Sequence, residues 1–217
     1  MAQGATPGSR YDSVAVLEVV QTSSEDTEPG ARLLKLANEA PSQMAWALAS
    51  RSRRSLRLAL DASVRHGAAL HDRRLPRGGP KLDHVVVGAH GVFVVAVRLH
   101  VGRPARSMLA DGYGWRLNVG GTDFTELAAE VARQAHALRM VVGSAGFSEQ
   151  VSVRPVLCLP NANWPLLGRP FRLDEVLVAP ATRMGRLVRK RGSLRAGDVD
   201  LVSRMLDSQL SPVRHRS

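Results

Sequence analysis

Two runs of apolar residues joined by a short turn form the clearest pattern in this chain. Val85–Val87 and Val92–Val97 are almost uninterrupted valine, and Gly88-Ala89-His90-Gly91 stands between them. Short apolar runs bounded by glycine predict the two strands of a β-hairpin. Since neither run alternates with polar residues, we expect both strands to be buried on both faces, in the centre of a sheet that is covered by helices.

Apolar side chains at three- and four-residue spacing predict helices on either side of this hairpin. Before it, the spacing predicts helices from residue 31 to 66, interrupted at Pro41 and capped at Gly67. After it, helices are predicted over residues 123–142, 181–190 and 196–210. The remaining strands are predicted at Ala68–Leu70, Gly112–Val119, Val153–Pro160 and Glu175–Ala179. This order predicts an α/β fold with three layers, in which a mixed β-sheet is flanked by helices.

The sequence divides the chain into three segments that differ in how much regular structure they predict. Residues 1–30 are rich in turn-forming and acidic residues, and only Ser13–Gln21 reads as a strand or helix, so we expect a mobile N-terminal segment. Residues 31–211 form one main domain, which is long enough for a sizeable core. Residues 212–217 form a basic tail.

Positive charge is the main feature of the composition. The chain of 217 residues has 30 Lys and Arg against 19 Asp and Glu, a net charge of +11, and arginine supplies nearly all of the excess. Arginine presents a planar pair of donors to phosphate, so this excess predicts attraction to nucleic acid or to acidic membranes. The densest stretch predicts a phosphate-contacting patch at Arg183, Arg186, Arg189, Lys190, Arg191 and Arg195. The alternative for this stretch, as for the arginines between residues 51 and 65, is the solvated face of a helix.

The remaining composition favours a cytoplasmic protein. No run approaches the ~18 uncharged apolar residues that a membrane span needs, and the N-terminus lacks the pattern of a secretory signal. Cys158 is the only cysteine and fits a reducing compartment. It lies inside an apolar strand, so we expect a buried thiol and not a nucleophile.

A longer pattern surrounds the hairpin and resembles a known family. It runs from Leu70-His71-Asp72 and Pro76 through Leu82-Asp83-His84-Val85-Val86-Val87-Gly88 to Gly91 and Gly102. This pattern resembles the NERD (nuclease-related) domain, found in many bacterial proteins. Weaker similarity at Asn118–Gly121, Gln134-Ala135 and Pro155–Cys158 extends the resemblance to about residues 45–210. The resemblance implies a restriction-endonuclease-like core of the PD-(D/E)XK group.

The resemblance also implies a metal-dependent phosphodiesterase site. In that group two carboxylates hold Mg²⁺ and a lysine orients the attacking water. A hard cation neutralises the charge that develops on the phosphate, and carboxylate oxygens are its preferred ligands. The second acid and the lysine stand two residues apart on one strand, so both point the same way.

Most of these catalytic positions are changed in this chain. Asp83 matches the first acid, Ala96 stands at the second acid, and Arg98 stands at the lysine. The helix that carries a glutamate in the family has Arg53-Arg54 near that place, and Gln134 matches a polar position of a later helix. Asp83 is thus at most a weak metal ligand, and we expect no cofactor unless the protein is active, in which case it requires Mg²⁺ or Mn²⁺.

Three functions follow from these residues. In the first, a degenerate nuclease-related domain binds DNA, RNA or a protein partner through its basic surface without cutting. In the second, a metal-dependent nuclease uses a rearranged site in which Lys81, two residues before Asp83, replaces the lost lysine, and Asp61 or Asp72 supplies the second acid. In the third, the protein is a scaffold and its charge is only compositional.

The histidines give no metal-binding pattern. None of the seven forms a pair with the spacing of metal ligands on one helix. His71 and His84 match family positions, so we expect them to pack or to form hydrogen bonds.

Overall fold

The computed structural model of the protein describes residues 50–108, 112, 114–147, 150–165 and 168–213. The predictions for residues 1–30, for the helix before residue 50 and for the last four residues of the basic tail lie outside these ranges. In the part of the chain that is described, no helix is long and apolar enough to cross a membrane.

Six strands follow the first described helix, and the second helix is followed by three strands, two helices and a last strand. Helix α1 is described over residues 50–61. The other helices are α2 (Thr125–Ser144), α3 (Ala181–Val188) and α4 (Ala196–Gln209). The strands are β1 (Ala69–Arg74), β2 (Lys81–Gly88), β3 (Gly91–Val97), β4 (Pro104–Met108), β5 (Trp115–Val119), β6 (Thr122–Asp123), β7 (Val153–Cys158), β8 (Phe171–Leu173), β9 (Val176–Ala179) and β10 (Ser211–Pro212).

The hairpin forms the centre of a mixed sheet, as predicted. The strand order is β10-β1-β2-β3-β7-β9-β8; β1, β2 and β3 pair antiparallel, whereas β3, β7 and β9 pair parallel. Every residue of β3 is buried, and so are the last five of β2. Unbroken valine runs fit these strands because both faces are covered.

Alternate side chains of the central strands pack against different helices. Val85 and Val87 belong to one core cluster with residues of α2 and α4. Val86 belongs to another cluster, with Leu56 and Leu60 of α1 and with residues of α3. The sheet thus lies between two layers of helices, and the predicted three-layer α/β arrangement is confirmed.

A small antiparallel sheet was only partly predicted. Strand β5 lies between β4 and β6, and its Leu117 and Val119 pack in a third cluster with residues of α2. The predicted strand Gly112–Val119 begins later, at Trp115. Strand β4 was missed because its four residues after Pro104 are all exposed and follow no apolar pattern. Strand β8 was missed because it has only three residues.

The first helix ends six residues before the glycine that was predicted to cap it. Helix α1 ends at residue 61, and Gly67 lies in the connection to β1 with a φ of +105°. A Cβ at this position would stand 2.4 Å from the Val87 carbonyl oxygen and 2.7 Å from Cγ1 of Val199. Gly67 is therefore required for the close approach of this connection to β2 and α4, and not as a helix cap.

Strand β1 is longer than predicted and has a second partner. It continues through the segment predicted as a loop, because Arg73 and Arg74 pair with Leu82 and Lys81 of β2. On its other edge, Arg73 pairs with Pro212, and the Val213 N–H donates to the Asp72 carbonyl. The strand β10 thus includes Pro212, a residue that was predicted to lie in the basic tail.

We expect Gly67→Ala to lower the free energy of unfolding by more than about 2 kcal/mol, because it combines a steric clash with an unfavourable φ. Gly121→Ala is the matched control, since Gly121 has a similar φ of +90° but nothing within 4 Å of an added Cβ. Denaturant unfolding of both variants checks this. Equal losses in the two variants would show that close packing at Gly67 is unimportant.

Candidate nucleic-acid interface

A cleft of about 450 Å³ opens where the amino end of β2 meets the carboxyl end of β3. We call it the Asp83 cleft. Its lining residues come from α1, β1, β2 and the end of β3: Arg53, Arg54, Arg57, Asp72, Lys81, Asp83, His84, Val97 and Arg98. Five cationic side chains therefore face two carboxylates, and the cleft carries a positive excess.

Helix α1 presents its arginines to this cleft because its apolar residues fix its orientation. Leu56 and Leu60 are buried against the sheet, four residues apart on one face of the helix. Arg53, Arg54 and Arg57 are exposed and line the cleft. The sequence interpretation left these arginines open between phosphate contact and a solvated face. The structure places them beside Asp83, near the position of the family's helical glutamate.

The Asp83 carboxylate is held by two donors at the end of β3. Its Oδ2 accepts the Val97 N–H at 2.9 Å and Arg98 Nη1 at 3.0 Å. The same Nη1 also donates to the Val97 carbonyl oxygen at 2.9 Å. Arg98, which stands where the family has its lysine, is thus the ion partner of Asp83, which matches the first acid of the family pattern.

Side-chain alternation along β2 is interrupted at Asp83. Val85 and Val87 point to the same face of β2 and belong to one core cluster. Because side chains alternate along a strand, Leu82 would be expected on the opposite face. It packs in the same cluster instead. The pairing of β2 with β3 ends at His84 and Val95, and the Asp83 carboxylate takes the next N–H. As a result Asp83 and His84, although consecutive, both line the cleft.

Asp72 is the second carboxylate of the cleft and also has cationic partners. Its Oδ1 lies 2.9 Å from Nζ of Lys81, and its Oδ2 lies 3.8 Å from Nη1 of Arg57. Its φ of +48° is in the left-handed region, where an L-residue other than glycine is uncommon. Lys81 lines the cleft together with Asp83, as predicted from their spacing, but its ammonium group pairs with Asp72.

Two positions that the family pattern places near the metal lie elsewhere. Ala96 is 2% exposed, packs in the cluster of β5 and α2, and does not line the cleft. Strand β3 ends at Val97, and the side chain of the next residue, Arg98, donates to the Asp83 carboxylate. Gln134 is 6% exposed on α2, donates to Glu130 Oε1 at 3.1 Å, and does not line the cleft.

The residues of the cleft do not fit a Mg²⁺ ion. Both carboxylates pair with cationic side chains, and a metal would have to displace Arg98 or Lys81 and share the cleft with five positive charges. In the ranges that the structure describes, no group of three or more His, Cys, Asp or Glu residues could hold a metal ion.

A hydrogen-bonded chain of three residues supports the floor of the cleft. Asp61 Oδ1 lies 2.8 Å from Nε2 of His71, and Nδ1 of His71 lies 2.8 Å from Nδ1 of His84. Two N–H groups cannot face each other at that distance, so one of the facing nitrogens must be unprotonated. Burial lowers the pKa of His84 from 6.5 to about 4, and the charge of His71 acts in the same direction. The prediction that both histidines form hydrogen bonds agrees with this geometry.

The predicted phosphate-contacting patch at residues 183–195 is distributed over several other cavities, because Lys190 and Arg191 each line more than one. Arg183 and Arg186 of α3 line a cavity of about 390 Å³ with Arg169. Arg189, Lys190 and Arg191 line another, of about 380 Å³. Arg195 precedes α4, where its N–H donates to Asp198 Oδ2 at 3.2 Å. None of the six lines the Asp83 cleft.

Cys158 is a buried core residue, as predicted. It has no exposed surface, and burial raises the pKa of its thiol to about 12. The thiolate is therefore not formed near neutral pH, and Cys158 cannot act as a nucleophile.

Comparison with known proteins gives the family. The model of the nuclease-related domain family, NERD, matches residues 49–160, which is more than half of the chain. The chain therefore belongs to this family, and the resemblance read from the hairpin is confirmed. The matched range runs from α1 to just beyond β7 and includes every residue that lines the Asp83 cleft. Searches among curated proteins and solved structures return no match.

We expect stability to fall as the pH decreases from 7 to 5. The unfolded state binds a proton at His84 near pH 6.5, whereas the folded state resists it until about pH 4, so protons favour unfolding in this window. The loss is about 2 kcal/mol between pH 7 and 5. Denaturant unfolding at both values measures it.

The matched variants are His84→Asn and His136→Asn, because His136 is exposed on α2. His84→Asn should flatten the pH dependence, and His136→Asn should leave it as it is. An unchanged slope in His84→Asn would contradict the assignment.

Proposed function

We propose that this nuclease-related domain binds nucleic acid in the Asp83 cleft and does not cut it. The observation that carries this proposal is the composition of the cleft, in which five cationic side chains surround two carboxylates. A metal-dependent nuclease needs an acidic floor, whereas a phosphate backbone needs cations. Here the balance favours phosphate.

The exposure of the arginines suits them to phosphate contact. The Arg57 side chain is 54% exposed and lies 3.8 Å from its nearest carboxylate, so it is free to reorient toward a ligand. Arg53 and Arg54 are also exposed. Guanidinium groups form paired hydrogen bonds with phosphate oxygens, and contacts of this kind carry no base sequence. We therefore expect binding with little sequence preference. The basic residues at 183–195 are further proposed phosphate contacts, in cavities separate from the cleft.

A metal-dependent nuclease remains the second candidate, because Asp72 lies close to Asp83. On the neighbouring strands β1 and β2, His71 pairs with His84 and Arg73 pairs with Leu82. Asp72 stands between His71 and Arg73, and Asp83 stands between Leu82 and His84, so the two aspartates are neighbours across the strands. Asp83, Asp72 and Lys81 thus line one cleft, as the rearranged site requires. We favour the first function because activity would require both ion pairs to open. The lone buried cysteine supports a reducing cytoplasm as the place of action.

We expect salt-sensitive binding of DNA or RNA that depends on Arg54. Fluorescence anisotropy with labelled strands and duplexes, from about 50 to about 200 mM salt, measures affinity and its salt slope. Arg54→Ala should weaken binding by about tenfold. It should also reduce the slope of log affinity against log salt concentration by about one.

Arg204→Ala is the matched control, since Arg204 is exposed on α4, on the opposite face of the sheet. It should bind like the wild type. If no nucleic acid binds at low salt, the proposal is wrong and the scaffold function is favoured.

We also expect no cleavage of plasmid or single-stranded DNA with Mg²⁺ or Mn²⁺. Gel analysis after long incubation provides the measurement, with Asp83→Ala as the control for contaminating nuclease. Cleavage by the wild type that disappears in Asp83→Ala would establish the rearranged nuclease instead.

A further inference from the structure

A second cationic cavity lies at the other end of β2. It has a volume of about 380 Å³, within the range of small-molecule sites. We call it the turn cavity, because Gly88 and Ala89 of the hairpin turn line it. Lys81 and Gly88 are the two ends of β2, about 23 Å apart along an extended strand. The turn cavity shares no lining residue with the Asp83 cleft.

The turn cavity combines an apolar floor with a cationic rim. The apolar side chains are Val64, Val188, Leu194 and Val199. The rim consists of exposed basic residues from the connection between α1 and β1 and from the segment after α3. They are Arg65, His66, Arg189, Lys190 and Arg191. This combination suits a ligand that has an anionic group and an apolar body.

The charge of the rim is not balanced by the protein. No Asp or Glu lines the turn cavity, and within the described ranges no ion pair involves Arg65, Arg189, Lys190 or Arg191. Elsewhere arginines have such partners, for example Arg73 with Asp207 and Arg133 with Glu126. Adjacent like charges repel each other, and a bound anion would relieve that repulsion.

Close backbone contacts hold the walls of the turn cavity. A Cβ at Gly192 would stand 2.0 Å from the Ala89 carbonyl oxygen, so only glycine allows this approach. That same oxygen accepts the Leu194 N–H at 3.1 Å. The segment that carries the rim is thereby fixed to the hairpin turn, and the cavity is formed before any ligand binds.

We propose that the turn cavity binds a nucleotide, with its phosphates on the cationic rim and its base on the apolar floor. Guanidinium groups match phosphate oxygens in pairs and also stack on planar rings, which favours a nucleotide over an aliphatic anion. The nucleotide is either free or the end of a nucleic-acid strand. The proposal concerns a site separate from the Asp83 cleft and stands without it.

The test measures binding of ATP, inorganic triphosphate and a labelled single-stranded oligonucleotide to the full chain. Lys190→Glu reverses a rim charge, and Arg204→Glu makes the same change of charge on α4. Ala196→Trp fills the cavity without changing charge, and Ala196 is exposed, so folding should be retained. Arg54→Glu reports on the Asp83 cleft in the same assays.

For a free nucleotide, ATP should bind about tenfold more tightly than triphosphate, and Lys190→Glu should weaken ATP by about tenfold or more. Ala196→Trp should also weaken it, whereas Arg204→Glu and Arg54→Glu should not. For a strand end, ATP binds weakly, but Lys190→Glu and Ala196→Trp both weaken the oligonucleotide and Arg204→Glu does not.

Two results would overturn the proposal. In the first, Lys190→Glu and Ala196→Trp bind every probe as the wild type does. In the second, neither ATP nor the oligonucleotide binds. If Arg54→Glu is the only variant that weakens binding of the oligonucleotide, the turn-cavity proposal is wrong, and the proposed function of the Asp83 cleft is still supported.

Discussion

A guanidinium group 3.0 Å from a carboxylate is the contact on which the chemistry of the Asp83 cleft depends. Arg98 and the Val97 N–H share one oxygen of Asp83, and together they bind the carboxylate to the end of β3. A carboxylate neutralised in this way offers little to a divalent cation. An arginine cannot release its proton, so it cannot take over the role of a catalytic base.

The rest of the site also lacks acids at positions where the family pattern has them. Where the family pattern has acids, this chain has buried Ala96 on β3 and exposed arginines on α1. The core holds these arginines at the cleft, because Leu56 and Leu60 fix α1 on the sheet. The architecture of a nuclease-related domain is thus retained, while the cleft has five cationic side chains and two carboxylates that pair with them.

Local patterns predicted the elements that are regular and buried. The valine runs identified β2 and β3, and helical spacing identified α2, α3 and α4 within a few residues. The family resemblance matched Asp83 and Arg98 to positions of one site, but their ion pair was not predicted. Long-range pairing determined what was missed. The length of β1 depends on β2, and the contact of His71 with His84 depends on the register between those two strands.

The altered surroundings of Asp83 also depend on tertiary structure. Ala96, at the position of the second acid, packs in the core cluster of β5 and α2 and does not line the cleft, and only the packing shows this. Lys81 and Asp83 do line one cleft, but Asp72 pairs with the lysine, and sequence spacing gives no sign of that. The arginines of α1 were visible as a cluster, and only the packing of Leu56 and Leu60 shows which way they face.

Direct measurement of Mn²⁺ binding to the purified protein tests the central claim, that Asp83 is an ion partner of Arg98 and not a metal ligand. Electron paramagnetic resonance of free Mn²⁺ in a titration with the wild type and Asp83→Ala is suitable. We expect the same concentration of free Mn²⁺ with both proteins. A saturable site in the wild type that is lost in Asp83→Ala would contradict it.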